Sequence, residues 1–341
     1  MTQREPLGVA LLGAGYWGPN LIRNFASLDD CSVHWVCDKK PGRLQFIHER
    51  FPEIPLTDDF NVVLSDSRVD AVVLATPVST HRDLALRVLA AGKHVFVEKP
   101  LADTTLYAQE IADAGRAAKR VVAVGHIFVY NPAIMRMREL VHADVIGKLC
   151  YAESSRVNLG PPASEVNVIW DLAVHDLAIL LDVWQQKPIA VTAFGGRYLH
   201  PHLIDAAFLH IHFADGSMAQ HHVSWLSSEK TRRFFVAGSH GSLHFDDMQM
   251  HDKLRHVDQG QDSRIGLSDS ESKELFYKPG EIKNVLLSGG EPLRAECAHF
   301  LECIRAGSKP RASADEGVAV VQILEAACAS IENNSARVAL A

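Results

Sequence analysis

Two short segments of the chain carry residue types that can move protons. Asp171 and His175 stand four residues apart in the apolar stretch Trp170–Trp184, which predicts a helix with both side chains on one face. A carboxylate beside an imidazole orients the ring and stabilises its protonated form, so the pair predicts a general base. A buried network that caps the helix would use the same residue types, and the spacing leaves both interpretations open.

The second segment is Glu98-Lys99-Pro100, which follows the apolar run Lys93–Val97. The run predicts a parallel strand, and the ligand of such a sheet lies at the carboxyl ends of its strands. Pro100 fixes the backbone at this point and lacks an N–H group. A lysine placed here can reach a substrate hydroxyl beside a bound cofactor, while a surface ion pair is the alternative interpretation.

The element that would position these groups is a glycine-rich turn near the N-terminus. The apolar run Val9–Leu12 leads into Gly13-Ala14-Gly15-Tyr16-Trp17-Gly18, and an amphipathic helix is predicted from Pro19. This strand–turn–helix context is the one that the G-x-G-x-x-G dinucleotide fingerprint requires. Gly13 allows the tight turn, Gly15 lets a pyrophosphate approach, and Gly18 lets the helix pack on the strand.

An acidic residue at the expected distance strengthens this prediction. The run Val33–Cys37 predicts the second strand, and Asp38 follows it, 20 residues after Gly18. A carboxylate there hydrogen-bonds the ribose hydroxyls of NAD and repels the 2′-phosphate of NADP. NAD is therefore the predicted cofactor, although Lys39, Lys40 and Arg43 follow closely and carry charges that would neutralise a phosphate.

Composition limits the partners of the chain. Its 341 residues are enough for two domains, and its net charge of −7 with a pI near 6.2 predicts no binding to nucleic acid. There is no apolar run of about 18 residues and no apolar signal region, which predicts a cytoplasmic protein without a membrane span. The six cysteines form no C-x-x-C pair and are expected to be reduced thiols.

The 18 histidines include close pairs such as His210 and His212. Because a third ligand with zinc-like spacing is missing from these pairs, we predict polar strand faces there and no metal site.

The order of predicted elements indicates two domains. Residues 1–125 alternate strands and helices, which predicts an α/β Rossmann domain with a doubly wound parallel sheet. In residues 126–341, successive strands without intervening helices predict an α+β domain with an open, mostly antiparallel sheet for substrate binding and oligomerisation. The polar segment 252–274 is interpreted as a surface excursion, and two helices are predicted at 291–306 and 314–333.

The glycine motif, Glu98-Lys99-Pro100 and Asp171-x-x-x-His175-Asp176, in this order, resemble the glucose–fructose oxidoreductase/inositol dehydrogenase (Gfo/Idh/MocA) family over essentially the whole chain. The resemblance implies a Rossmann domain followed by an α+β domain whose sheet supports homodimers or homotetramers. It also implies catalytic roles for Lys99, Asp171 and His175 in hydride transfer from a sugar alcohol to NAD+, with the base role open between Lys99 and His175. The residues implied to contact the cofactor are Gly13, Gly15, Tyr16, Trp17, Gly18, Asp38, Lys39, Arg43, Thr76, Pro77, His81, Glu98, Lys99 and Trp170.

Further segments are similar to the branch of this family that acts on nucleotide-linked sugars, such as UDP-N-acetylglucosamine 3-dehydrogenases. They are Tyr16–Asn20, Gly125–Pro132, Arg156–Gly160, Trp170–Leu172 and Ser224-Trp225. This similarity implies a 3-keto product that a pathway aminotransferase converts to an amino sugar for lipid A or other surface glycans. The residues expected to bind the substrate are Lys99, Phe128, Tyr130, Asn131, Arg156, Asn158, Asn167, Asp171, His175, Lys230 and Arg232, with cations for the diphosphate and planar groups for the base and sugar.

Three other functions fit the same residues. The protein could reduce a keto-sugar nucleotide with NADPH, against which Asp38 argues. It could oxidise a free polyol such as inositol, which would leave the basic residues Lys230, Arg232 and Arg233 without a role in turnover. It could also be a dinucleotide sensor without activity, against which the presence of Lys99, Asp171 and His175 argues.

Overall fold

The computed structural model of the chain describes residues 5–160, 166–184, 186–258 and 280–340. The first of two units consists of Met1–Asn131 and Gly290–Glu325, and the second of Pro132–Gly289 and Ala326–Ala341. The predicted division between residues 125 and 126 lies close to the first of these boundaries. The segment Gly290–Glu325, which the prediction placed in the second domain, is part of the first unit.

The first unit alternates strands and helices, as the sequence predicts. Its elements up to residue 125 are β1 Leu7–Leu12, α1 Gly18–Ala26, β2 Cys31–Cys37, α2 Pro41–Arg50, β3 Leu56–Thr57, α3 Phe60–Ser65, β4 Ala71–Leu74, α4 His81–Ala90, β5 His94–Glu98, α5 Thr105–Ala118 and β6 Val122–Gly125. Short 3₁₀ turns cover Val78–Thr80 and Ile127–Tyr130.

The rest of the chain contains fewer helices and longer strands. Its elements are α6 Pro132–His142, β7 Leu149–Leu159, a π-helical turn Ile169–Ala173, α7 Val174–Val183, β8 Pro188–Gly196, β9 Ala206–Phe213, β10 Met218–Ser224, β11 Leu226–Gly238, β12 Gly241–Asp246, β13 Leu254–Asp258, β14 Ile282–Asn284, α8 Pro292–Ala306, α9 Ala314–Glu332 and β15 Val338–Ala339.

The sheet of the first unit is parallel, in the order β3-β2-β1-β4-β5-β6. Strands β1, β4 and β6 are apolar and buried along almost all of their length, as expected when helices cover both faces. The order reverses between β1 and β4, and this switch point is where ligands of doubly wound sheets bind. The predicted Rossmann architecture is confirmed.

Helix α8 packs against this sheet although it lies far away in sequence. Phe300 of α8 contacts Phe25 of α1 and Phe96 of β5 edge-on, with ring centroids 6.5 and 5.7 Å apart. All three rings are fully buried, and each contributes roughly 1.5–3 kcal/mol of hydrophobic free energy. This aromatic contact explains why residues 290–325 belong to the first unit.

The described strands of the second unit form a sheet in the order β14-β13-β12-β11-β7-β10-β9-β8-β15. The β7–β10 pair is parallel and the other pairs are antiparallel, so the predicted mostly antiparallel sheet is confirmed. The predicted surface excursion at 252–274 is wrong for residues 254–258, which form β13 and pair with β12. Residues 259–274 of that prediction lie outside the described residues.

The two faces of this sheet differ in character. On one face β7 presents Ser154 and Arg156, which are buried. On the other face large apolar side chains are exposed, including Tyr151 (43% exposed), Phe194 (51%) and Phe208 (42%). The sequence therefore builds a sheet with one buried face and one face on which the described chain leaves several large apolar side chains exposed.

Candidate functional site

The loop between β1 and α1 has the geometry that a bound pyrophosphate requires. Gly13 has φ +102°, and a Cβ there would lie 2.4 Å from the carbonyl oxygen of Ala75. A Cβ on Gly18 would lie 2.4 Å from the carbonyl oxygen of Gly13. Around Gly15 the nearest atoms belong to the guanidinium of Arg43, at 3.7 Å or more, so the turn stays open. These residues fit the phosphates of NAD at the N-terminus of α1.

Asp38 follows β2 and is 6% exposed beside this loop. Its Oδ2 atom accepts the N–H of Ala14 at 2.8 Å, and its Oδ1 atom accepts the N–H of Lys40 at 2.8 Å. The guanidinium of Arg43 lies 3.3 Å from Oδ2. The predicted residues Gly15, Asp38 and Arg43 are thus brought together, with a carboxylate where the ribose of NAD binds in such folds.

Other predicted cofactor residues are more exposed. Tyr16 is 94% exposed, and Lys39 and Pro77 are also exposed. Trp17 is partly buried and its side chain hydrogen-bonds Glu98. Trp17 belongs to the glycine loop and Glu98 is the last residue of β5. Their hydrogen bond therefore links the loop to the end of that strand.

His81, a predicted cofactor residue, is buried. The ring is 1% exposed, and its Nε2 and Nδ1 atoms lie 2.9 Å from the carbonyl oxygens of Thr76 and Pro100. Burial lowers the pKa of His81. Since the buried ring lies between two protein carbonyl groups, the structure gives His81 a structural role, and its expected cofactor contact stays a prediction. His81 ties the turn after β4 to the turn that carries Lys99.

Lys99 follows the last residue of β5, and the Lys99–Pro100 peptide is cis. Its N–H donates to Oε2 of Glu98 at 3.2 Å. Glu98 pairs in register with Gly125 of β6, where a Cβ would lie 2.8 Å from the Glu98 carboxyl group. Burial raises the pKa of Glu98 to about 7. The lysine therefore leaves the carboxyl end of the sheet beside a carboxyl group that titrates near neutrality.

Buried ionisable groups outside the predicted set of site residues lie around Glu98 and Lys99. Glu296 of α8 is 2% exposed, and burial and the neighbouring Glu98 raise its pKa well above the usual range. His126 is also 2% exposed, and burial and the charge of Lys99 lower its pKa to about 3. Within the described residues, neither side chain has a hydrogen-bond partner. A glutamate on the buried face of the amphipathic helix α8 was the sequence signal for this cluster.

Tyr130, predicted to bind substrate, belongs to the core of the first unit. It is 5% exposed, its ring lies 5.5 Å from that of His299, and its hydroxyl oxygen accepts the N–H of Ala312 at 3.5 Å. Burial and the nearby Glu296 raise its pKa. The expected substrate contact is therefore corrected to a packing role. Phe128 is partly buried in the same turn, and Asn131, at its end, is 8% exposed.

In the second unit, Asp171 and His175 follow an asparagine cap. Oδ1 of Asn167 accepts the N–H groups of Ile169 and Trp170 at 3.0 and 3.3 Å. Asn167 therefore caps this helix, and its expected substrate contact stays a prediction. The predicted α-helix is also wrong at its start, because Asp171 lies in the π-helical turn and His175 in the first turn of α7. Such turns are frequent at functional sites.

A buried network holds α7 on the sheet. Asp176 is 1% exposed, and its Oδ1 accepts Nε–H and Nη2–H of Arg156 at 3.1 and 2.7 Å. Its Oδ2 accepts the Ser154 hydroxyl at 3.1 Å, and that hydroxyl also contacts Nδ1 of His221 at 2.7 Å. Burial lowers the pKa of His221 to about 4. Arg156, predicted to bind phosphate, thus serves as a structural partner of Asp176.

The predicted basic cluster divides between the two sheet faces. Arg232 lies directly across from Arg156 in the β11–β7 pair, and Asn158 is two residues further along β7 on the same face. Arg233 points to the opposite face and pairs with Asp246 at 3.0 Å. Lys230 is exposed. Arg232 and Asn158 therefore remain as candidates for one binding surface.

The described residues offer neither a metal site nor a membrane-spanning helix. Across residues 5–160, 166–184, 186–258 and 280–340, histidine, cysteine and carboxylate side chains form no group of three that could hold a metal ion. No described helix combines the length and the apolar content needed to cross a membrane.

Comparison with known families and proteins agrees with this architecture. Residues 7–126 match the Gfo/Idh/MocA oxidoreductase family with its NAD-binding Rossmann fold, and residues 134–244 match the Gfo/Idh/MocA C-terminal domain. Inositol 2-dehydrogenase from Acidothermus cellulolyticus is 30% identical over 204 residues, 58% of this chain and 59% of that protein. The chain thus aligns with little more than half the length of this relative.

A second relative is aligned more completely, and a solved structure shows the same fold. The scyllo-inositol 2-dehydrogenase (NAD(+)) from Bacillus subtilis is 27% identical over 316 residues, 88% of this chain and 87% of that protein. UDP-N-acetylglucosamine 3-dehydrogenase GnnA from Acidithiobacillus ferrooxidans superimposes with a TM-score of 0.82 at 23% identity, covering 96% of this chain and 99% of that one. The chain therefore belongs to the Gfo/Idh/MocA family of NAD-binding oxidoreductases.

Proposed function

We propose that the protein oxidises a secondary hydroxyl of a nucleotide-linked sugar with NAD+, with the C3 hydroxyl of UDP-N-acetylglucosamine as the first candidate. The observation that carries the nucleotide-linked part is the position of Arg232. Its guanidinium faces Arg156, and burial together with that charge lowers its pKa. Arg232 pairs with Asp247 at 3.7 Å, a carboxylate that Lys253 contacts more closely at 2.9 Å. Arg156, in contrast, pairs with the buried Asp176 at 2.7 Å. A substrate diphosphate would stabilise the charge of Arg232.

Each candidate catalytic residue has a separate role in this proposal. Bound NAD+ supplies the acceptor for the hydride that leaves the substrate carbon. His175 takes the proton of the substrate hydroxyl, and Asp171 orients His175 or binds a neighbouring hydroxyl. Lys99 donates a hydrogen bond to the oxygen that becomes a carbonyl and stabilises its developing negative charge. Separate Lys99→Ala and His175→Ala variants would apportion the base role.

A free cyclic polyol is the second candidate substrate. The sequence relatives described above are inositol dehydrogenases, and inositol carries no anionic group. In that case Arg232 would have no role in turnover, and its replacement would leave the kinetics unchanged. The two candidate substrates therefore differ in whether replacement of Arg232 changes the kinetics.

The experiment compares two neighbouring arginines. The purified protein is assayed at 340 nm with NAD+ and either UDP-N-acetylglucosamine or myo-inositol, with glutamate and a 3-keto-sugar aminotransferase added to draw off the sugar product. Arg232→Gln is expected to raise KM for the nucleotide sugar at least tenfold. Arg233→Gln, on the opposite face of the same strand, should leave it within twofold. Turnover of inositol alone, unaffected by Arg232→Gln, would replace the first candidate by the second.

We also propose a preference for NAD over NADP. It is supported by the carboxylate of Asp38 beside the loop, which disfavours a 2′-phosphate. The guanidinium of Arg43 hydrogen-bonds the same carboxylate, and its positive charge would favour the 2′-phosphate of NADP. Titration of both cofactors by quenching of tryptophan fluorescence measures the balance.

A further proposal concerns assembly and the product. Tyr151, Phe194 and Phe208 on the open sheet face suit contact with a second copy of the chain, so we expect a homodimer or homotetramer. Light scattering on a sizing column gives the mass, and Phe208→Glu should reduce it.

The 3-keto sugar is a carbonyl compound, and an aminotransferase is the class of enzyme that would consume it.

A further inference from the structure

Trp225 lies where β10 passes into β11 and is 4% exposed. Its indole Nε1–H donates to Oδ2 of Asp171 at 3.2 Å. Both residues belong to the second unit. The sequence similarity described above included Trp225 without giving it any role, and the structure places it on one of the proposed acid–base residues.

The backbone around the indole is held on both sides. The N–H of Trp225 donates to the carbonyl of Asp205 at 2.9 Å, and its carbonyl accepts the N–H of Gly160 at 3.3 Å. Asp205 is 1% exposed, and its carboxylate in turn accepts backbone N–H groups of residues 198–200. The donor is therefore presented by a fixed backbone, and its side chain is buried and restricted.

The carboxylate that receives this hydrogen bond sits on a less regular element. Asp171 is in the π-helical turn, whose backbone hydrogen bonds span one residue more than those of the α-helix that follows. A side chain there cannot rely on regular α-helical packing for its orientation. A hydrogen bond from a fixed donor selects one orientation of the carboxylate.

We propose that Trp225 is a positioning residue, whose indole N–H orients Asp171 for the acid–base step. The inference rests on the proposed function, in which Asp171 assists His175. Trp225 acts through Asp171 and has no contact with the reacting atoms in this proposal. Its loss should therefore lower kcat and leave KM for both substrates within twofold.

The test uses Trp225→Phe with a matched control in the same unit. We expect kcat to fall about tenfold, which is about 1.4 kcal/mol in activation free energy. Trp184 is 3% exposed and stacks on Phe213 with ring centroids 4.9 Å apart. In the described part of the chain its indole N–H has no hydrogen-bond partner. Trp184→Phe should therefore keep kcat within twofold.

An Asp171→Asn background separates positioning from a general structural effect. If Trp225 acts through Asp171, adding Trp225→Phe to Asp171→Asn should lower kcat by less than twofold. An equal tenfold loss in both backgrounds would overturn the inference, as would unchanged kcat in Trp225→Phe. If Asp171→Asn itself retained full activity, the proposed role of Asp171 would fail along with the inference.

A spectroscopic measurement does not depend on activity. The chain has five tryptophans, and ¹⁵N-labelled indoles give one N–H resonance each. Trp225→Phe identifies the Trp225 resonance by its loss, and Asp171→Asn should move that resonance more than the other four. No such movement would overturn the hydrogen bond. If Trp225→Phe does not fold, benzothienylalanine at position 225 keeps the ring shape and removes only the N–H, so it serves as the variant in both experiments.

Discussion

Removing the charge of Asp176 should destabilise the second unit far more than removing an exposed charge. The side chains of Arg156 and Asp176 are 4% and 2% exposed, and two N–H groups of the guanidinium reach one carboxylate oxygen. In Asp176→Asn that guanidinium stays buried without its counter-charge, and Arg232 faces it across the strand pair. Breaking a buried pair in this way costs about 3–5 kcal/mol.

The assay is urea unfolding at neutral pH, followed by tryptophan fluorescence and fitted by linear extrapolation. Arg156→Met should show a loss similar to that of Asp176→Asn, because it leaves the carboxylate without its cation. A variant that combines Arg156→Met with Asp176→Leu removes both charges. We expect it to be more stable than either single variant and within about 1 kcal/mol of the native protein.

An exposed pair in the same unit supplies the control. Arg136 and Glu139 of α6 are 45% and 57% exposed, so Glu139→Gln should cost less than about 1 kcal/mol. If Asp176→Asn cost no more than Glu139→Gln, the reasoning from burial would be refuted. Simple addition of the single losses in the combined variant would refute the coupling between the two charges.

Three further predictions concern the first unit. Gly18→Ala should abolish NAD binding in a fluorescence titration, because the new Cβ would lie 2.4 Å from the backbone carbonyl oxygen of Gly13. Asp38→Ala should raise the ratio of NADP to NAD affinity at least tenfold in cofactor kinetics, since Arg43 loses its carboxylate partner. Glu98→Gln should flatten the pH dependence of stability. Burial raises the pKa of Glu98 from 4.5 to about 7, so folding takes up a proton between these values and native stability falls as the pH rises. Urea unfolding should show a loss of about 2 kcal/mol between pH 5 and pH 7.5.

Each of these predictions has an outcome that contradicts it. Native NAD affinity in Gly18→Ala would mean that the helix and the turn can move apart. An unchanged cofactor ratio in Asp38→Ala would remove this carboxylate from cofactor choice. The same pH slope in Glu98→Gln and the native protein would place the neutral titration on another group, with Glu296 as the next to replace.

The glycine loop and its acid could be predicted from sequence because they obey local rules. Gly13 and Gly18 face backbone atoms of their own loop or of the neighbouring strand, so only glycine fits. Asp38 is placed by the end of the strand that precedes it. The Rossmann sheet could also be predicted from local sequence, since buried parallel strands are apolar along their whole length.

The errors among the predicted site residues arose where distant partners decide the environment. Tyr130 has the size and polarity of a substrate contact, but Ala312 and His299 on a remote segment enclose it. Arg156 has the charge for a phosphate, but Asp176 neutralises it from another element. A sequence shows the residue type and not the partner that a fold brings from far along the chain.

The helix start at Asn167 carries a local signal that the sequence analysis did not use. Asparagine is a preferred N-cap residue, and its side-chain oxygen accepts the N–H groups two and three residues later, as it does here. The π-helical turn that follows had no such signal, because its sequence fits a regular helix equally well. The contact between Trp225 and Asp171 likewise joins residues 54 positions apart and depends on the fold.

The most direct test of the proposed activity is the change in absorbance at 340 nm with NAD+ and UDP-N-acetylglucosamine, coupled to an aminotransferase and glutamate. The coupling draws off the keto product of a reaction that is otherwise unfavourable near neutral pH. If the proposed activity is correct, the native protein forms NADH and Lys99→Ala does not, while NAD binding is retained in that variant. Absence of NADH from the native protein, with NAD bound, or undiminished NADH formation by Lys99→Ala, would contradict it.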